Sequence, residues 1–245
     1  MAGSDYIFGI RALMEAVASG KTVEKVFIKK GLTGDLSKEL FDVLRANGIT
    51  YQFVPIEKLN RITRGNHQGV IALSTSIVYQ RVEDVIMNCF EAGKIPFIVV
   101  LDGVTDVRNF GAIARSAECS GVDAIVFPEK GSASPNSDAV KTSAGALLKI
   151  PVCKVRDLDK CVKYLKDSGL TVVAASEKGA VNYTEASLTS PLALVMGAED
   201  TGVSEKILAM ADAKISIPIL GTIQSLNVSV AAGILMYEVV RQKSL

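Results

Sequence analysis

The chain has 245 residues, 49% of them hydrophobic, with 27 Lys/Arg against 26 Asp/Glu and a formal net charge of +1. That hydrophobic share supports a packed core and excludes a disordered chain, and near-neutrality excludes a globally basic nucleic-acid binder. At roughly 100–200 residues per domain, the length fits one large domain or two modest ones.

The charge is not evenly spread. Residues 1–76 carry ten Lys/Arg and seven Asp/Glu, whereas the remainder carries 17 and 19. The N-terminal segment is therefore the better candidate for meeting a polyanion. Cys89, Cys119, Cys153 and Cys161 form no CxxC pair, and His67 is the single histidine. That leaves no zinc-ligand pattern, so the cysteines read as reduced core residues and no metal is expected. The opening MAGSDYIFGI lacks a basic segment followed by an apolar one, and no run approaches the roughly 18 apolar residues of a membrane span. A soluble cytoplasmic protein is expected, with no membrane partner.

In chain order, residues 1–76 read as a small α/β domain. Ile10, Leu13, Met14 and Val17 recur at helical spacing and stop at Ser19-Gly20. Val23 to Ile28 reads as a strand, and Leu36 to Ala46 as an amphipathic helix closed by Asn47-Gly48. Ile49 to Val54 is expected as a strand, Pro55 to Ile62 as a short helix and Gly69 to Ser74 as a strand. Thr63 to Gln68 carries Arg64, Asn66, His67 and Gln68 with no apolar residue to pin it. Two readings stand for this loop: a grip on RNA backbone or an unpaired base, and an ordinary solvated turn.

Residues 77–94 read as a linker and a leading helix, and the second domain covers 95–245. IPFIVVLDG is an apolar run that ends at Asp102-Gly103, as suits a parallel strand buried on both faces. A helix is expected from Phe110 to Ser120, with Asn109 as its cap, and a strand follows in AIVFPEK. Then come a helix from Asp138 to Leu147, a strand from Pro151 to Val155, a helix from Leu158 to Ser168 and a strand from Leu170 to Ala175. A polar patch precedes the strand Leu192 to Met196, and Ser204 to Met210 reads as a helix. The last stretch is an apolar strand, Ile215 to Leu220, a polar loop, Gly221 to Asn227, and an apolar helix, Val228 to Met236. This alternation argues a parallel α/β sheet with helices on both faces.

Chemistry is expected in the loops that follow strands, where open parallel sheets bind ligands. Three stand out: Asp102 to Asn109, Gly197-Ala-Glu-Asp-Thr-Gly202, and Gly221 to Asn227 with Gln224, Ser225 and Asn227. Glu199 either stabilises a helix entry or places a carboxylate in a cleft. No GxGxxG follows a strand and no GxxxxGK[ST] occurs, so neither a dinucleotide site nor a P-loop is supported. One histidine, in the other domain, speaks against a Ser-His-Asp triad. The residues point to a pocket of glycine backbone and a few polar groups for an uncharged or cationic ligand.

Asn109 with Arg115, the GAEDTG loop and IPILGTIQSLNVSVAAGILMYE resemble the three motifs of the SpoU (TrmH-like) RNA ribose 2′-O-methyltransferases. The order and spacing match across roughly residues 95–242. Phe8-Gly9-Ile10 and His67-Gln68-Gly69 are similar to parts of the small RNA-binding domain that precedes the catalytic one in many members. The resemblance implies an α/β-knot (SPOUT-type) catalytic domain with a deep trefoil knot, S-adenosylmethionine bound in it, and a homodimer through the C-terminal domain. It implies cofactor contacts from Gly197, Ile217 and Leu226, and a catalytic group of Arg115, Glu199, Ser225 and Asn227 supported by Asn109. Substrate RNA would meet Arg64, Asn66, His67, Gln68 and Arg108. The subgroup resembled most methylates a guanosine of large-subunit (23S) ribosomal RNA. A transfer RNA substrate and a non-catalytic RNA-binding or ribosome-assembly role are the alternatives. Where many members have Asp-Pro, this chain has Asp106-Val107-Arg108-Asn109, which adds a charge for RNA.

Overall fold

The computed structural model describes residues 5–75, 77–177 and 181–244, so the extreme N-terminus and part of the polar patch after Ala175 lie outside the described residues. It divides into two compact units, Met1–Val78 and Tyr79–Leu245. The expected linker is thus apportioned, with its helix joining the second unit.

The first unit has the order β1 (Asp5–Phe8), α1 (Ile10–Ala18), β2 (Val23–Lys29), α2 (Asp35–Ala46), β3 (Tyr51–Val54), α3 (Ile56–Ile62) and β4 (Val70–Ser74). Its sheet runs β1-β4-β2-β3, antiparallel except for the β2–β3 pair. Side chains alternate across it. Val26, Ile28, Val70 and Ala72 face α1 and α2, while Val54 and Ile71 face α3. β1 is absent from the expectations above. Its four residues are too few to show a period of two.

The second unit contains α4 (Val82–Glu91), β5 (Phe97–Asp102), α5 (Val107–Cys119), β6 (Ala124–Pro128), α6 (Ser137–Thr142), β7 (Val152–Val155), α7 (Leu158–Asp167), β8 (Thr171–Ala175), β9 (Val181–Asn182), β10 (Leu192–Gly197), α8 (Glu205–Met210), β11 (Ala213–Ser216) and α9 (Val228–Lys243). Among the described residues its seven strands run β7-β6-β5-β10-β8-β11-β9, every pair parallel. Ile98, Val100, Val126 and Val195 pack against α4, α7 and α8. The opposite face meets α5 and α9, with the Phe110 ring edge-on to Phe127 at 5.2 Å. Both faces of the central strands are covered, so β10 is buried along its whole length.

Four expectations need correction. α5 starts at Val107 because Asp106 is the cap, its carboxylate accepting from Arg108 N at 2.6 Å; Asn109 lies inside the helix. The expected helix from Asp138 to Leu147 breaks after Thr142, where Ala144 and Gly145 take positive φ, and resumes as a 3-10 turn at Ala146–Leu148. β11 ends at Ser216, short of Leu220. Pro218 offers no N–H to a ladder, and Leu220 is 98% exposed. Finally, the Gly221 to Asn227 loop, whose amides and hydroxyl among apolar neighbours suggest burial, is exposed throughout.

Candidate active site

In a parallel sheet all strands point the same way, so the loops after β5, β10 and β11 leave from one edge. Gly197 ends β10 directly beside Asp102 at the end of β5. Asp102 Oδ2 accepts from Ser204 N at 2.7 Å and anchors the entry to α8. The loop between folds back on itself. Ala198 and Gly202 exchange backbone hydrogen bonds at 3.1 and 2.9 Å, leaving Glu199, Asp200 and Thr201 at its exposed tip. A Cβ on Gly197 would stand 2.1 Å from Gly202 C and Val203 N, so this close approach admits only glycine.

The three loops converge on one carboxylate. Glu199 Oε1 accepts from Asn109 Nδ2 at 2.9 Å and from Asn227 Nδ2 at 2.6 Å. Asn227 Nδ2 also reaches Asn109 Oδ1 at 3.1 Å. Asn227 Oδ1 caps α9, accepting from Ser229 N at 3.0 Å and from Ser229 Oγ at 2.5 Å. One side chain thus ends the loop, starts the helix and orients a donor at Glu199. Glu199 stands six residues before the first residue of α8 and lines the adjacent cavity.

Beside this cluster lies a cavity of about 560 Å³, within the range of small-molecule sites. Gly197, Ile217 and Leu226, the expected cofactor contacts, all line it, as do Glu199 and Ser225. Its wall is apolar at Met196, Leu208, Ile215 and Leu235 and acidic at Glu177, Asp200 and Glu205. Among the described lining residues there is no Lys or Arg. Such a wall disfavours phosphates and suits a ligand carrying positive charge, as the sulfonium and ammonium groups of S-adenosylmethionine do.

Arg115 is exposed on α5 and makes no hydrogen bond or ion pair with any described residue. It is outside the cavity wall, as is Arg108, also exposed. Asp102, Asp106 and Ser229 belong to the site's framework and escape the sequence reading. The Asn-Val-Ser spacing at 227–229 was a legible signal for the cap.

In the first unit, His67 is buried at 8% exposure. Its Nδ1 accepts from Gly69 N at 3.0 Å, which leaves Nε2 to donate to Asn60 Oδ1 at 3.0 Å. Gln68 and Gly69 both have positive φ, and Val70 N returns to His67 O at 2.8 Å, closing a tight turn. The ring is thus spent on shaping the turn, while Arg64, Asn66 and Gln68 are exposed.

Among the described residues no group of His, Cys, Asp and Glu could hold a metal, and no helix is long and apolar enough to cross a membrane.

Comparison with known proteins matches residues 96–237 to the SpoU rRNA methylase family and residues 6–80 to the RNA 2′-O ribose methyltransferase substrate-binding unit. A Staphylococcus haemolyticus protein, assigned by name to the TrmH family of tRNA/rRNA methyltransferases, is 34% identical over 97% of this chain and 95% of its own. Its Bacillus subtilis relative YacO is 32% identical over 98% and 96%. Among solved structures, the A. aeolicus TrmH/SpoU tRNA modifying enzyme is 34% identical over 66% of this chain and 84% of its own, with a TM-score of 0.56. The AdoMet-bound rRNA methyltransferase of Sinorhizobium meliloti shares the fold over 96% of this chain and 86% of its own, with a TM-score of 0.62 at 24% identity. The chain belongs to the SpoU rRNA methylase family of RNA 2′-O-ribose methyltransferases, enzymes that draw their methyl group from S-adenosylmethionine.

Proposed function

We propose that this chain methylates the 2′-hydroxyl of a guanosine in large-subunit (23S) ribosomal RNA, with Asn109, Glu199, Ser225, Asn227 and Arg115 as its reacting group. The observation that carries the site is the Asn109–Glu199–Asn227 cluster at the mouth of the acidic and apolar cavity. When bound there, S-adenosylmethionine supplies an electrophilic methyl group on a sulfonium. Gly197, Ile217 and Leu226 would hold the adenosine, largely through their backbone.

A ribose hydroxyl is a weak nucleophile until its proton is shared or taken. Glu199 Oε1 is occupied by two amides, so Oε2 is the atom left to accept the hydroxyl's proton. The two asparagines hold the carboxylate in one orientation, which is worth more in a preorganised site than in water. Ser225 Oγ, on the cavity wall, would hydrogen-bond the ribose. A guanidinium stays charged at any working pH, so Arg115 acts electrostatically, on a phosphate and on the developing alkoxide. Arg108 extends that charge along α5.

Arg64, Asn66 and Gln68 in the first unit would grip RNA on a turn shaped by His67. The substrate-binding unit ahead of the catalytic one favours ribosomal over transfer RNA, since the A. aeolicus tRNA enzyme matches only 66% of the chain. The knot and a homodimer belong to the same proposal. Exposed Leu220, Ile223, Val230 and Tyr237, within and on either side of the third loop, offer the apolar surface for a second copy. Mapping 2′-O-methyl groups in ribosomal and transfer RNA from a strain lacking the gene tests the substrate. A single guanosine losing its methyl in 23S RNA is expected; a loss confined to transfer RNA overturns the assignment.

A further inference from the structure

β1 is an edge strand, and edge strands are ordinarily blunted with charge, proline or a bulge. Here Ile7 turns into the core while Tyr6 and Phe8 turn outward, 39% and 41% exposed. Their rings are near-parallel, 23° apart, with centroids at 6.1 Å. The outward aromatics Tyr51 and Phe53 on the opposite edge differ, because both pack around Phe41 at 5.4 and 6.1 Å.

The register across the sheet brings charge alongside. Tyr6, Leu73 and Lys25 form one row, and Phe8, Ile71 and Phe27 the next. Lys25 and Lys58 place their ammonium groups 5.4 and 5.0 Å from the Phe27 ring. The surface also continues into the Arg64 to Gln68 loop. A Cβ on Gly9 would stand 3.0 Å from Gln68 Oε1, so the Gln68 side chain lies across the residue that follows Phe8.

We propose that Tyr6 and Phe8 form a stacking platform for unpaired RNA bases, continuous with the Arg64 to Gln68 loop and flanked by Lys25 and Lys58 for the phosphates. Aromatic rings stack on any base, whereas a duplex keeps its bases paired and out of reach. The platform therefore selects single-stranded or looped RNA. This rests on the RNA-methyltransferase reading only in that the polymer is RNA.

The test uses the full chain and two probes, a labelled oligouridine of about a dozen nucleotides and an RNA duplex of similar length. Tyr6→Ala/Phe8→Ala should weaken oligouridine binding at least about tenfold and leave duplex binding and S-adenosylmethionine binding unchanged. Tyr6→Phe/Phe8→Tyr should restore oligouridine binding. Tyr6→Leu/Phe8→Leu, which keeps apolar area at the edge but removes the π faces, should behave like the alanine pair and covers the case in which that pair unfolds. Equal losses on both probes, or no loss on oligouridine, overturn the platform. So does a change in sedimentation without a change in RNA affinity, which would make this a protein-binding face. Wild-type protein that methylates RNA but does not bind oligouridine defeats the platform alone, whereas loss of RNA methylation by wild type defeats the functional reading.

Discussion

Asn227 donates to Glu199 Oε1 at 2.6 Å across 28 residues of chain, and its other amide atom caps α9. The two halves of one side chain therefore serve two purposes that substitution can separate. Asn227→Asp keeps an oxygen for Ser229 N but replaces the donor with a carboxylate facing Glu199. We expect it to retain thermal stability while methyl transfer falls at least ~100-fold, the scale seen for removing one preorganised donor. Asn227→Ala should lose both, with about 1 kcal/mol of stability from the cap. Thermal melts and transfer of labelled methyl to RNA check the pair. An Asp variant that is active at the wild-type rate would remove Asn227 from the reacting group.

Gly197→Ala should abolish S-adenosylmethionine binding in calorimetry. The added Cβ would meet the Gly202 and Val203 backbone at 2.1 Å, and backbone cannot step aside as a flexible side chain can. The loop must open, which moves Glu199 as well. A destabilisation above ~2 kcal/mol is expected; unaltered cofactor affinity would show that the loop relaxes freely.

Arg115→Ala should fold normally, because the guanidinium makes no hydrogen bond or ion pair with a described residue. Methyl transfer to RNA should collapse while S-adenosylmethionine affinity stays unchanged, since Arg115 is not on the cavity wall. A weakened cofactor would contradict the division of labour between α5 and the cavity.

His67→Ala strands the buried Gly69 N–H, at a cost of about 1–3 kcal/mol. The first unit should melt earlier and bind RNA more weakly, with cofactor binding in the second unit unaffected. If His67→Asn, which can still accept from Gly69 N, restores RNA affinity, the ring's role is to shape the turn.

The thiols make a pH prediction. Burial pushes Cys153 and Cys161 up to about 12 from an ordinary 9.0. A raised folded pKa means stability that is intact below 9.0 and lost as pH climbs toward about 12. Denaturant midpoints measured from neutral to alkaline pH should fall in that window, and less so in Cys153→Ala. Cys119 departs from the core placement expected of the cysteines: it is exposed on the last turn of α5, so at neutral pH a disulfide reagent should modify it quickly and the buried Cys89, Cys153 and Cys161 only on unfolding.

Sequence alone carried the repeating elements, because period and punctuation are local. FIVVL is apolar throughout and becomes a strand covered on both faces; Ile10, Leu13 and Val17 recur on one face and make α1. The three loops at one sheet edge follow from parallel strands; Glu199, Gln224 and Ser225 line the cavity, Asn109 and Asn227 bond to Glu199, and Arg108 and Arg115 stand outside the wall. What only the tertiary structure decided were long-range contacts with no local trace. Asn109 looks like a cap in the sequence, and Asp106 is one; its amide is drawn to Glu199, 90 residues away. His67 looks like a solvated loop residue, yet Asn60 and Gly69 enclose it. Tyr6 and Phe8 sit in a strand too short to show a period, and only β4 and β2 fix which face of the sheet each one occupies. Periodicity reports which face of an element is apolar; only packing decides what that face, or a polar group beside it, finally meets.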